Sequence, residues 1–149
     1  MFDFSQEIPI GCDHAGFKLK EYLVVELSKE GYRFKDFGTY SEESVDYPDF
    51  VHPLAKEIND GIFSRGIIIC GSGNGVSMAA NKYLKVRSAV CWTVDIARFS
   101  RLHNDANIIA LPARYILQED ALNMVKTFFT TDFEGGRHER RVQKISAVL

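Results

Sequence analysis

A chain of 149 residues with 46% hydrophobic and 26% charged side chains is long enough for one sizeable core, and a single domain spanning 1–149 is expected. A net charge of −2 supplies no field for nucleic acid or a membrane surface, and no apolar run nears the roughly eighteen residues of a membrane span. The acidic start MFDFSQE does not read as a signal peptide, and three cysteines without a C-x-x-C pair fit free thiols in a reducing cytoplasm.

Short apolar runs alternate with amphipathic ones along the whole chain. Ile8 to Cys12 reads as a strand, although Pro9 removes a ladder donor there; either the strand begins after it or that donor faces no partner. Ala15 to Lys29 reads as a helix, with Leu19, Leu23 and Leu27 at four-residue spacing and Gly31 as its stop. Arg33 to Phe37 is a second strand, followed by the loop GTYSEESVDYPD, and Phe50 to Asn59 is helical. Gly66 to Cys70 is a third strand, Val76 to Tyr83 a short helix, Ser88 to Cys91 a fourth strand and Asp95 to Leu102 a helix. Asn107 to Leu111 is a fifth strand and Gln118 to Phe129 a helix; FEGGR then breaks the chain before a last helix, Arg137 to Val148. Alternating strands and helices imply parallel pairing, so the expected fold is a Rossmann-like three-layer α/β/α sandwich on a five-stranded parallel sheet.

Ligands bind such sheets at the carboxyl ends of the strands. Cys12, Asp13 and His14 follow the first strand; Cys70, Gly71, Ser72, Gly73, Asn74 and Gly75 end the third; Arg114 follows the fifth. SRLHNDAN adds His103 and Asn104 at or just past the end of the fourth helix, and is expected to reach the same crevice. The glycines of CGSGNG fit neither G-x-x-x-x-G-K-[ST] nor G-x-G-x-x-G, so neither a P-loop nor a dinucleotide fingerprint is present. A strand-to-helix turn bare of side chains exposes backbone N–H groups. A thiol there has its thiolate stabilised by the helix dipole, beside donors that can hold an oxyanion.

Four motifs, GCDHAGF, CGSGNGVSMAANK, RLHNDAN and GGRHERRV, resemble, in order and spacing, the ribose-5-phosphate isomerase B family of sugar-phosphate isomerases. The resemblance spans nearly the whole chain. It implies interconversion of ribose 5-phosphate and ribulose 5-phosphate through an enediolate, with neither metal nor organic cofactor. Cys70 matches the family's base, and Ser72 stands where many members carry threonine, either hydroxyl being able to donate to the enediolate oxygen. His103 matches the ring-opening acid/base, Asp13 is placed to assist it, and Asn104 resembles a ligand of a sugar hydroxyl. Arg114, Arg137, Arg141 and His14 match the phosphate ligands. Tyr47 has two open readings, a cover over the sugar or an anchor of its own loop, and His138 is left without a role.

The family builds its site between two subunits, which implies a homodimer or a tetramer with the C-terminal segment, about 137–148, crossing to the partner. FEGG would supply the joint. Allose or galactose 6-phosphate stays open as an alternative substrate, and so does a non-catalytic phosphosugar or nucleotide module. His52, Cys91, Trp92, Phe99 and Phe4 are expected to be packing residues. Cys12, Asp13 and His14 are too close in sequence to converge on zinc.

Overall fold

The computed structural model describes residues 1–147. Its elements in chain order are β1 Glu7–Cys12, α1 Phe17–Lys29, β2 Arg33–Asp36, α2 Tyr47–Asn59, β3 Gly66–Cys70, α3 Asn74–Ala80, β4 Ser88–Val90, α4 Val94–Asn104, β5 Ile108–Pro112, α5 Gln118–Thr130 and α6 Arg137–Ile145. All five strands pair in parallel in the order β2-β1-β3-β5-β4. The central strand β3, GIIIC, and its neighbour β5, IIALP, are buried at every position, the unbroken apolar pattern of a strand covered on both faces.

Two cores flank the sheet. On one face Leu19, Leu23 and Leu27 of α1 pack with Ala97 of α4 and Met124, Val125, Phe128 and Phe129 of α5. On the other, Val51, Leu54, Ala55 and Ile58 of α2 pack with Val76 and Ala80 of α3. The expected three-layer α/β/α sandwich is the observed one.

Pro9 does lie inside β1. Ile10 accepts from Phe37 and Cys12 donates to Gly38, so by alternation the nitrogen of Pro9 faces β3. Pairing with β3 begins only at Ile10↔Ile67, so the missing donor removes no ladder bond. The second helix begins at Tyr47 rather than Phe50, because Pro48 suits its first turn and Asp46 is extended before it. The last helix ends at Ile145, and the expected extension to Val148 reaches beyond the described residues.

Candidate active site

β1 and β3 are neighbours, yet β2 lies on one side of them and β5 on the other, so the strand order reverses between them. Such a switch point opens a crevice at the carboxyl ends. Asp13 stands there after β1, its N–H donating to Ile69 of β3 across 3.2 Å. Cys70 ends β3 beside it. β5 is laced to the same corner: Ala113 donates to the Cys70 carbonyl at 2.9 Å and Arg114 to that of Gly71 at 3.1 Å. Together Asp13, Tyr47, Cys70, Gly71, Ser72, Gly75, Arg114 and Tyr115 line a cavity of about 230 Å³.

The glycine loop has its own geometry. Gly73 takes the left-handed conformation at φ +75° that starts α3, and its N–H donates to the Cys70 sulfur at 3.1 Å. The Asn74 N–H donates to Ser72 Oγ at 3.3 Å. A Cβ on Gly75 would come within 2.6 Å of the Tyr47 ring, so that ring lies directly on the loop backbone. Asp13 ties the turn into α1, its Oδ1 accepting from Ala15 at 2.9 Å and Gly16 at 3.1 Å. His14 does not line the cavity; its Nδ1 accepts from Val45 at 3.1 Å, which leaves the proton of a neutral ring on Nε2.

Two expectations need correction. Cys12 is fully buried in the first core and does not line the crevice. Its side chain falls on the core face of β1, where burial pushes the thiol up to about 12. Second, one chain does not bring His103 and Asn104 to Cys70. A helix that follows a parallel strand runs back along the sheet, so α4 carries its last turn to the amino edge. Asn107, just beyond, bonds to Gly66 and Arg87, which open β3 and precede β4. With 11 residues α4 spans about 16 Å. Arg137 and Arg141, both exposed on α6, share that distant edge with His103.

The amino edge has an organisation that the sequence did not reveal. His103 stacks on buried His138, ring centroids 4.3 Å apart and planes 9° from parallel. Phe99 lies on His103 at 5.0 Å, and Glu134 reaches His103 Nε2 at 3.7 Å. The ligand atoms of His103, Glu134 and His138 are within 4.8 Å of one another. Parallel stacking sets the two imidazole lone pairs in separate planes, however, so chelation would require a ring to turn. Asp105, at φ +47°, pairs with Arg87 and Arg101 at 2.8 Å each, so half of RLHNDAN builds the turn between α4 and β5. A larger hollow of about 710 Å³ lies here between Tyr83, Leu84 and Ile145; it holds Asn104 but, unlike the smaller cavity, no thiol, imidazole or carboxylate.

Trp92 and Phe99 were expected to be packing residues and are instead 46% and 37% exposed, with Ile96 at 47% between them. His52 meets the Tyr83 hydroxyl at 3.1 Å, and Phe4 packs on Phe2 and Tyr32.

The ribose/galactose isomerase family model matches residues 8–145. The chain is similar to ribose-5-phosphate isomerase B of Escherichia coli, 41% identical over 96% of each chain. Among solved structures it is similar to a ribose 5-phosphate isomerase from Thermotoga maritima, with a TM-score of 0.93 and 48% identity over 95% of this chain and 98% of that one. It is also similar to ribose-5-phosphate isomerase B from Mycoplasma genitalium with bound ribulose-5-phosphate, at a TM-score of 0.90 and 36% identity over 97% and 96%.

Proposed function

The chain belongs to the ribose/galactose isomerase family, and from that premise we propose how its residues divide the work of isomerising a phosphosugar. The reaction is the interconversion of ribose 5-phosphate and ribulose 5-phosphate. Cys70 takes the proton from C2 of the open-chain aldose and returns it to C1. The enediolate formed between these steps carries its charge on oxygen, where Ser72 and the loop N–H groups can donate. One such donor is typically worth about 3 kcal/mol in the transition state, and a positioned base about 100- to 10,000-fold in rate. His103 opens the furanose ring with Asp13 assisting. Asn104 holds a sugar hydroxyl, and Arg114, His14, Arg137 and Arg141 hold the phosphate. Neither a metal nor an organic cofactor enters these steps. Phosphate held far from the reacting carbon orients it, so losing those cations should lower rate as well as affinity.

Cys70 and His103 stand at opposite edges of one chain, so a site using both is built by two. The observation that carries this is an exposed stripe on α4. Ile96, Phe99 and His103 are spaced by three and four residues, which aligns them on one side of the helix, and Trp92 stands exposed just before its first turn. The stripe begins at the cavity rim, where Trp92 meets Tyr115 at 5.6 Å, and ends at His103. In a two-fold dimer each stripe packs antiparallel on its copy. That carries the partner subunit's His103 to the rim beside Cys70, and α6 travels with it. With Gly135 and Gly136 at positive φ before it, α6 is short and polar and needs such a surface. The chain thus acts as one domain within a homodimer, and a tetramer would pair two such dimers. No helix among the described residues is long and apolar enough to cross a membrane, in keeping with work in the cytoplasm.

Assaying five- and six-carbon aldose phosphates for ketose formation in EDTA tests the substrate. Ribose 5-phosphate should be preferred. Preference for allose or galactose 6-phosphate would move the enzyme to the six-carbon branch, and no ketose from any of them would leave only a binding module.

A further inference from the structure

We propose that His138 is a positioning residue that holds the His103 imidazole by stacking face to face on it. The inference rests on the reading of His103 as the ring-opening group, and it adds a residue which that chemistry does not itself need.

His103 is 37% exposed and sits in the last turn of α4, where a lone imidazole would sample several rotamers. Two neighbouring rings restrict that freedom. His138 stacks on the ring at 4.3 Å and 9°, and Phe99, one turn earlier, lies against it at 5.0 Å with a 35° tilt. His138 is itself buried and comes from α6, so the stack joins two helices. The segment between them is pinned as well, since Glu134 N–H donates to the Leu102 carbonyl at 3.1 Å while its carboxylate faces His103 Nε2. A ring held face to face against a buried ring keeps its plane, and with it the plane in which its nitrogens can reach a substrate. Orientation of this kind is where small misplacements lose large factors in rate.

The stacking ring also needs to be uncharged, because two stacked imidazolium cations would repel. The charged or titratable groups facing His138 are His103 from α4, Glu134 from the linker, and Arg137 and Arg141 from α6 itself. Partial burial first, then the His103, Arg137 and Arg141 charges, lower His138 from the ordinary histidine value, with Glu134 opposing. At neutral pH His138 is therefore uncharged, and it gains a proton only as pH falls.

The test compares His138→Ala with His138→Phe, which keeps an aromatic plate and cannot titrate. His138→Ala should lower kcat from ribose 5-phosphate by roughly ten- to a hundredfold, on the scale of a misplaced catalytic group. KM should change less than kcat, and turnover of ribulose 5-phosphate, which has no furanose ring, should fall less. His138→Phe should restore most of the loss and reduce the decline of turnover on acidification. Independently of activity, the His103 ring-proton NMR signals should keep their ring-current shift in His138→Phe and lose it in His138→Ala. Equal damage from both variants, each with native circular dichroism, would overturn the proposal, as would an unmoved His103 signal in His138→Ala. If instead His103→Asn keeps full activity while the NMR result holds, the stack is real and the ring-opening role is what fails.

Discussion

The Gly73 N–H donates to the Cys70 sulfur across 3.1 Å, and this bond fixes where the thiol of the crevice points. Gly73 makes it from the left-handed region, where a side chain would be strained; a Cβ there would also meet Val90 at 3.1 Å. The thiol is thus aimed by backbone alone, in a cavity where Asp13, Ser72 and Arg114 also converge.

Cys70→Ala removes one sulfur from a strand end and should leave the fold intact. Isomerisation should fall at least about 100-fold, the lower end of what a positioned base supplies. Stopped assays on the purified variant measure this, and near-normal turnover would remove Cys70 from the chemistry.

His103→Asn should impair turnover of ribose 5-phosphate more than that of ribulose 5-phosphate, since only the aldose has a ring to open. The equilibrium constant cannot change, so saturating rates in the two directions are the quantities to compare. Equal losses would assign His103 a general binding role.

Cys12 and Cys91 should resist alkylation at pH 8 while Cys70, which lines the cavity, is modified and protected by substrate. Burial pushes both inert thiols up to about 12. Their neutral form is the folded one. The stability they contribute is therefore intact below about pH 9 and is lost as pH climbs toward 12. Mass spectrometry after iodoacetamide reads the first effect. Urea midpoints from pH 8 to 11 read the second, with a shallower fall expected for Cys12→Ala.

Lys20→Met should destabilise the fold by about 2 kcal/mol, measured by urea unfolding, because it strands Asp36 and the Thr39 carbonyl. Lys20 is fully buried and donates to both Asp36 oxygens, at 2.7 and 2.6 Å, and to Thr39 at 2.7 Å. Unchanged stability would show that water replaces the ammonium.

What the sequence disclosed follows from locality. Apolar runs such as GIIIC and the four-residue leucine spacing of α1 encode elements directly, and a glycine turn after a strand marks the crevice. Lys20 was not legible, because its partners lie 16 and 19 residues away and only the packed loop creates its niche. Cys12 was misplaced because period-2 alternation decides which face a strand residue takes, and Pro9 obscured the register. His103 was sent to the wrong edge because a motif gives no direction of travel, whereas the return path of α4 does. Trp92 and Phe99 look like core residues by type, and only their exposure shows that they await a surface.

The composite site is tested most directly by complementation. A Cys70→Ala chain and a chain carrying His103→Asn, Arg137→Ala and Arg141→Ala are each inactive alone. They are mixed under conditions that exchange subunits, with exchange verified by mass. In a two-fold dimer with shared sites, the mixed dimer holds one site with every lesion and one with none. Up to half of wild-type activity per mixed dimer should therefore return. If exchange is complete and no activity appears, His103 and the arginines serve the cavity of their own chain, and the shared site is contradicted.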